Sequence, residues 1–146
     1  MAAEATAPLL VERFAIQGGD YEHGGDAAAR IKVIMRQLGI DPDLMRRLSI
    51  ANFEAEMNLV MYAEEGVMEF QVHADALRVI VADRGPGIPN IELAMQEGWS
   101  TATPEMRARG FGAGLGLPNM KRNSDEFEIS STVGTGTTVR YAVHLA

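Results

Sequence analysis

The sequence contains no cysteine and no long uninterrupted run of apolar residues. The absence of cysteine excludes disulfides, thiolate metal sites and cysteine nucleophiles, and it fits a reducing compartment, so the cytoplasm is the expected location. No stretch approaches the roughly 20 apolar residues that span a bilayer, and the first residues lack the basic and apolar regions of a targeting segment. We therefore expect no membrane association.

Positive charge is also scarce, because 13 Lys and Arg stand against 20 Asp and Glu, which gives a formal net charge of -7. This balance disfavours a nucleic-acid backbone or an anionic membrane as partner. With 47% hydrophobic and 23% charged residues, a chain of 146 residues can bury one sizeable core. Its length favours a single domain over residues 1–146, with an N-terminal strand and loop in residues 1–25.

Apolar periodicity and turn residues predict strands grouped in hairpins, with helices between them. The predicted strands are residues 9–16, 67–72, 77–82, 127–132 and 137–145, and the predicted helices are residues 27–38, 42–63, 91–97 and 115–123. Asp41 and Pro42 suit the N-cap and first turn of the second helix. This order predicts an α+β fold: a two-layer sandwich in which helices cover one face of a mixed β-sheet.

Asp83 is followed by a loop that contains Gly85 and Gly87. Glycine and proline are common turn residues, so the segment can be a simple turn at the end of a strand. Alternatively, a carboxylate held by a glycine-stiffened loop can accept a hydrogen bond from an exocyclic amine such as that of adenine. Residues 134–137 are typical of a hairpin turn, and Thr137 could in addition supply a hydroxyl to a base or a bridging water.

Glycines also alternate along residues 110–117, in the sequence GFGAGLGL, more densely than the start of a helix requires. Alternating glycines let backbone N–H groups approach an anion, and the helix that follows offers its positive end, so a phosphate cradle is chemically sensible. The segment is not a P-loop, because no Gly-Lys-Ser/Thr follows. The alternative is a mobile surface loop between two helices.

A polar pair lies on the long second helix. Glu54 and Asn58 are four residues apart and share a face, whereas Glu56 points elsewhere. A carboxylate beside an amide oxygen suits a base next to a Mg²⁺ ion, which prefers oxygen ligands. In isolation the pair would be a solvated helix face, but Phe53 and Met57 place it near the core, where polar groups need partners.

Taken in order, four segments resemble the N, G1, G2 and G3 boxes of the GHKL ATPases: EAEMN at 54–58, DRGPG at 83–87, GAGLGL at 112–117 and GT at 136–137. The resemblance covers roughly residues 25–145. GHKL ATPases include histidine-kinase ATP-binding domains, gyrase-type ATPases and the anti-sigma-factor serine kinases. The resemblance therefore implies a histidine-kinase-like ATPase fold that uses ATP and Mg²⁺.

Within that superfamily, the small size looks like the anti-sigma regulatory kinases, and the sequences GWST at 98–101 and LPNMKR at 117–122 look most like the RsbT-type switch kinases. These kinases phosphorylate serine or threonine on STAS-domain partners. One departure is the segment 102–109, which is longer than in the switch kinases and closer in length to the lid of anti-sigma factors. The resemblance therefore leaves the subfamily, and with it the partner, open.

The match also implies roles for individual residues. Glu54 would be the catalytic general base, Asn58 would coordinate Mg²⁺, and Asp83 would bind the adenine amino group with support from Thr137. Arg107 or Arg109, in an ATP lid at residues 98–113, would reach the γ-phosphate. The other residues implied to contact the nucleotide are Gly85, Gly87, Gly110, Gly112, Ala113, Gly114, Leu115 and Gly116.

These residues predict an ATP-dependent serine/threonine kinase that acts on a STAS-domain regulator. Two alternatives stay open: an anti-sigma factor that sequesters a sigma factor, and a nucleotide-sensing subunit that binds ATP without phosphotransfer. An exposed strand edge or the first helix could support a homodimer.

Overall fold

A computed structural model describes residues 7–96 and 116–145 and has an α+β architecture with helices packed on one face of a sheet. In chain order the elements are β1 (Leu10–Gln17), a 3-10 turn (Tyr21–His23), α1 (Asp26–Gln37), α2 (Pro42–Tyr62), β2 (Glu65–Val72), β3 (Ala76–Arg84), α3 (Ile91–Ala94), α4 (Gly116–Arg122), β4 (Glu126–Thr132) and β5 (Gly136–His144). Within the described residues, no helix combines the length and apolar character needed to cross a membrane.

The described strands form a sheet of order β1-β2-β3-β5-β4, and every neighbouring pair is antiparallel. The predicted sandwich with helices on one face is confirmed, whereas the expectation of a mixed sheet is wrong. The reason is the number of helices between β1 and β2. The start of α1 lies at Glu56 in the second half of α2, and the end of α1 leads into the start of α2, so the two helices run in opposite directions. The chain therefore returns to the end of the sheet where β1 finished, and β2 starts there and runs antiparallel to β1.

The helix and strand boundaries agree with the predicted ones to within two residues, except at the end of α3. That helix stops at Ala94 rather than at residue 97. The Gln96 N–H bonds to the carbonyl of Leu93, three residues back, at 3.0 Å. This tighter bond closes the last turn of the helix.

Helix α2 is the element that positions most of the site, and hydrogen bonds hold it at its start and near its middle. At its start, the Asp41 carboxylate accepts hydrogen bonds from the N–H groups of Asp43 and Leu44, which confirms the predicted N-cap. Further along, the hydroxyl of the buried Tyr141 on β5 donates to Asn52 Oδ1 at 2.7 Å. Fully buried apolar side chains fill the space between α2 and the sheet: Leu48, Leu59, Val60, Met68, Phe70, Leu77, Val79 and Val143.

The start of α1 depends on a side chain of α2. Gly25, the N-cap residue, has a φ of 99° and no side chain to cap the helix. The buried carboxylate of Glu56 takes that role, since it accepts hydrogen bonds from the N–H groups of Gly25, Ala27 and Ala28 at 2.8–3.2 Å. The glycine-rich stretch at residues 18–25 has no counterpart in the family motifs. It ends at Gly25, whose positive φ lets the chain turn into α1 beside the Glu56 carboxylate.

Candidate functional site

The motif residues that the structure describes form two contacting groups. The second half of α2 carries Glu54 and Asn58, both half-buried and one helical turn apart. Asp83 lies near the end of β3, and its carboxylate reaches the start of β5 at Thr137. Gly116, the first residue of α4, lies against the side chain of Asn58. The folding of the chain therefore brings Asp83 to Thr137, 54 positions away, and Asn58 to Gly116, 58 positions away.

Asp83 is a carboxylate that is partly withdrawn from water. Its Oδ1 accepts a hydrogen bond from the Thr137 N–H at 3.1 Å. Burial raises the pKa of Asp83, and the bond from Thr137 opposes this shift only in part. A half-buried carboxylate with spare acceptor capacity is chemically suited to bind a donor such as an amino group.

The loop after Asp83 is held against the turn between β4 and β5. Three hydrogen bonds join the two segments: the Gly85 N–H to the Thr135 carbonyl at 3.0 Å, the Gly134 N–H to the Pro86 carbonyl at 2.9 Å, and the Ile88 N–H to Ser131 Oγ at 2.8 Å. These bonds fix the loop from outside its own sequence. The loop that follows Asp83 is therefore held in place by the β4–β5 hairpin.

Two glycines make this close approach possible. Gly87 has a φ of 76°, and a Cβ there would lie 2.5 Å from the carbonyl oxygen of Thr132. A Cβ at Gly136 would overlap the carbonyl oxygen of Asp83. Larger residues would push the loop and the hairpin apart, so the glycines are required for Asp83 and β5 to meet.

Thr137 is held by a residue that sequence reasoning missed. Its hydroxyl lies 2.8 Å from Ser131 Oγ, and the two residues are directly paired across β4 and β5. Ser131 therefore links the hydroxyl of Thr137 to the Ile88 backbone of the Asp83 loop. The alternation of β4, which puts Ser131 on the same face as Ile129, is the sequence signal that could have found it.

Asn58 faces the start of α4. A Cβ at Gly116 would lie 3.2 Å from Asn58 Oδ1 and 3.3 Å from its Nδ2, so only a glycine leaves the amide uncrowded there. Among the described residues, no cluster of three acidic or histidine side chains could hold a metal ion by itself. A cation at Asn58 would need most of its oxygen ligands from water and phosphate groups, which is the usual environment of Mg²⁺ in nucleotide sites.

Glu54 has a polar partner that the sequence did not predict. Asn119 Nδ2 donates to Glu54 Oε2 at 3.4 Å, and Arg122 Nη1 donates to Asn119 Oδ1 at 2.7 Å. Glu54 also lines an open groove of about 510 Å³ between α1 and the first half of α2, so it can be reached from outside. Phe53 lines the same groove and is 45% exposed, which corrects the expectation that it packs near the core.

The lid at residues 98–113 lies outside the described residues. So do several residues predicted to contact the nucleotide: Arg107, Arg109, Gly110, Gly112, Ala113, Gly114 and Leu115. Gly85, Gly87, Asp83 and Thr137 are described and lie together, and Gly116 lies with Asn58.

Comparison with known proteins agrees with this arrangement. A family described as the histidine kinase-like ATPase domain matches residues 19–143. The serine/threonine-protein kinase RsbT of Bacillus subtilis is 34% identical over 111 residues, which cover 73% of this chain and 77% of RsbT. An anti-sigma F factor of Thermoanaerobacter sp. is 30% identical over 127 residues, which cover 82% of this chain and 85% of that protein. The anti-sigma F factor of Pasteuria penetrans is 32% identical over 123 residues, which cover 78% and 79%. The chain belongs to the histidine kinase-like ATPase family, in the branch that contains the kinase RsbT and the anti-sigma F factors.

Proposed function

We propose that this protein is an ATP-dependent serine/threonine kinase that phosphorylates a regulatory protein, with a STAS-domain protein as the expected partner. One observation carries the proposal: Glu54 and Asn58 stand one turn apart on α2, with Asn58 against the start of α4 and Glu54 open to a groove. A base that a protein hydroxyl can reach therefore lies beside an amide suited to the metal of a bound nucleotide.

In this proposal the adenine end of ATP is bound at the edge of the sheet. Asp83 accepts a hydrogen bond from the adenine amino group, and Thr137 supports the carboxylate through its backbone N–H. Gly85 and Gly87 add no side chains of their own to the loop beside Asp83. The glycines of residues 110–116, together with Arg107 or Arg109, are proposed to contact the phosphates through backbone N–H groups and a guanidinium.

Asn58 is the residue that would hold Mg²⁺, which neutralises charge on the phosphate oxygens. Glu54 accepts the proton of the attacking serine or threonine hydroxyl. The hydroxyl oxygen forms a bond to the γ-phosphorus of ATP, the bond from that phosphorus to the bridging oxygen breaks, and ADP leaves. The protein contributes mainly position and electrostatic complementarity, because the transferred group needs little covalent help.

Two features bear on the partner. RsbT is named as a serine/threonine-protein kinase, so a protein hydroxyl is the expected acceptor for this chain as well. The groove that Glu54 lines has apolar walls, formed by residues such as Met45 and Phe53. Two cations, Lys32 and Arg46, line the same groove. Because the chain has a net charge of -7, its surface as a whole repels an acidic partner. The two cations reduce that repulsion at the groove, so a partner can dock there.

Phosphotransfer is tested by incubating the purified protein with radiolabelled ATP, Mg²⁺ and a panel of STAS-domain proteins, followed by mapping of the phosphorylated residue. We expect label on serine or threonine, and we expect Glu54→Gln to abolish it while ATP binding persists. The matched control is Glu128→Gln, which removes an exposed carboxylate of β4 on the face of the sheet away from α2. Transfer that survives in Glu54→Gln contradicts the base role.

An anti-sigma factor is the second candidate, because two of the relatives that cover about four fifths of this chain are named anti-sigma F factors. Co-purification with a sigma factor, unchanged by Glu54→Gln, would favour it. ATP binding without transfer to any protein, together with a stable non-signalling partner, would instead favour a nucleotide-sensing subunit. A homodimer is compatible with either candidate.

A further inference from the structure

We propose that Asn119, oriented by Arg122, is a positioning residue that holds the Glu54 carboxylate in place for proton transfer. The inference rests on the proposed function, in which Glu54 is the base. It concerns a polar chain, from Arg122 through Asn119 to Glu54, that joins α4 to α2, and neither Asn119 nor Arg122 belongs to the four boxes.

The two helices meet in a regular way. Gly116 on α4 lies against Asn58 on α2, and one turn further along α4 Asn119 contacts Glu54, one turn earlier on α2. The two contacts are about one helical turn apart on each helix, three residues on α4 and four residues on α2. The contacting residues therefore lie on the surfaces that the two helices turn towards each other. The same face of α4 therefore touches the proposed metal ligand and the proposed base.

Helix α4 is short, but it is anchored on its other side. Leu117 is 8% exposed and Met120 is fully buried in the core. Beyond the helix, the Ser124 hydroxyl donates to the Met120 carbonyl at 2.6 Å, and Asn123 Nδ2 donates to the Asn119 carbonyl at 2.9 Å. These contacts fix the backbone that carries Asn119, so its side chain starts from a defined position.

The direction of the polar chain follows from the donors available. A guanidinium can only donate, so the 2.7 Å contact with Arg122 requires the oxygen of the Asn119 amide. The amide nitrogen then points the other way and donates to the carboxylate oxygen of Glu54. Arg122 therefore selects the amide orientation in which Asn119 donates to the base.

This arrangement restrains one carboxylate oxygen of Glu54 and leaves Oε1 for the substrate proton. Without it, Glu54 could rotate into the groove that it lines. Misplacement of a catalytic group by about 1 Å can cost on the order of 100-fold in rate, and loss of one restraint should cost less. We expect Asn119→Ala to lower kcat by about 10-fold and to leave the KM for ATP unchanged.

The first test needs no substrate. The side-chain amide of Asn119 is assigned in a nitrogen-15 NMR spectrum by its absence from Asn119→Ala. Its resonances should shift in Glu54→Gln and in Arg122→Gln, and they should stay in place in Lys121→Gln, which removes the same charge from an exposed neighbour on α4. An amide signal unmoved by both Glu54→Gln and Arg122→Gln overturns the contact, whether or not the protein is a kinase.

The second test is kinetic, on folded variants with unchanged melting temperatures. Asn119→Ala and Arg122→Gln should lower kcat without changing the KM for ATP, Arg122→Lys should recover most of the rate, and Lys121→Gln should match the parent protein. If Glu54→Gln abolishes transfer while Asn119→Ala leaves kcat unchanged, the positioning role is wrong and the proposed function stands. If Glu54→Gln itself leaves transfer intact, the proposed base role and the positioning role both fall.

Discussion

Glu56 Oε1 accepts a hydrogen bond of 2.8 Å from the backbone N–H of Ala28, a residue 28 positions earlier in the chain. With the bonds from Gly25 and Ala27, this contact makes a carboxylate of α2 the cap of α1. Glu54, two residues away, is half-buried and lines a groove instead. Two nearly adjacent glutamates on one helix therefore differ in their surroundings: Glu56 caps α1, whereas Glu54 is the proposed base.

The different tasks of these glutamates predict different costs of mutation. Glu56→Ala leaves three backbone N–H groups without their acceptor, and it should lower the free energy of unfolding by about 3 kcal/mol. Glu54→Gln should change it by less than about 0.5 kcal/mol, because its contact with Asn119 is a single long hydrogen bond. Urea unfolding followed by circular dichroism measures both. Equal losses in the two variants would contradict the assignment.

We expect the partly buried carboxylate of Asp83 to lower the stability of the nucleotide-free protein at neutral pH and to strengthen ATP binding. Burial raises its pKa above the ordinary value of 3.8, so its stabilising contribution is complete below 3.8 and is lost as the pH rises through the raised folded value. At pH 7 the ionised carboxylate therefore costs stability in the nucleotide-free protein. Asp83→Asn should raise the free energy of unfolding at pH 7, with a gain that shrinks towards pH 3.8, and should weaken ATP binding.

The check is urea unfolding at several pH values, alongside ATP titration by calorimetry. A variant that is less stable than the parent at pH 7, or that binds ATP as tightly, would contradict this account of Asp83. The two readouts are independent, because stability is measured without nucleotide.

The buried pair of Tyr141 and Asn52 should contribute to stability through one hydrogen bond. Tyr141→Phe removes the donor to Asn52 Oδ1, and we expect a loss of about 1–2 kcal/mol in the free energy of unfolding. Asn52 Nδ2 has no hydrogen-bond partner among the residues that the structure describes. Replacing both residues, with Asn52→Leu added to Tyr141→Phe, should therefore cost no more than the single change. A double variant with fully additive losses would argue against a coupled pair.

Gly116 should matter for nucleotide binding more than for folding. Adding a Cβ in Gly116→Ala crowds the Asn58 amide at 3.2 Å, so we expect Mg²⁺-dependent ATP affinity to fall by about 10-fold. The midpoint of thermal unfolding should change little, because alanine is a better helix former than glycine. Calorimetric titration with and without Mg²⁺ separates the two effects. If Gly116→Ala binds ATP in the presence of Mg²⁺ as tightly as the parent protein does, the proposed role of Asn58 as a Mg²⁺ ligand is contradicted.

Local patterns predicted most of the fold. The strand and helix boundaries follow apolar periodicity and turn residues, and Asp41 capped α2 as its position before Pro42 predicted. The antiparallel sheet was missed because strand direction depends on how the chain returns through α1 and α2, and local sequence does not encode this. The convergence of Asp83 and Thr137 was correctly expected from ordered motifs rather than from geometry.

The contacts that sequence reasoning missed have one physical property in common: each joins residues far apart in the chain. Glu56 reaches the backbone of residues 25–28, Asn119 reaches Glu54 across 65 positions, and Ser131 reaches Ile88 across 43. Such bonds depend on the packing of helices and on strand register. The residues around Asn119 do not indicate its partner, and the alternation of β4 gives the face of Ser131 but not the residue it bonds.

The central claim, that Glu54 is the base of an ATP-dependent phosphoryl transfer, is tested most directly by one measurement. The rate of a single turnover with saturating Mg-ATP and a phosphoacceptor protein is compared between the parent and Glu54→Gln, with the Kd for Mg-ATP determined on the same samples. The account predicts a Kd within about 3-fold of the parent and a rate lower by about 100-fold or more. A rate equal to that of the parent, at equal Kd, would contradict it.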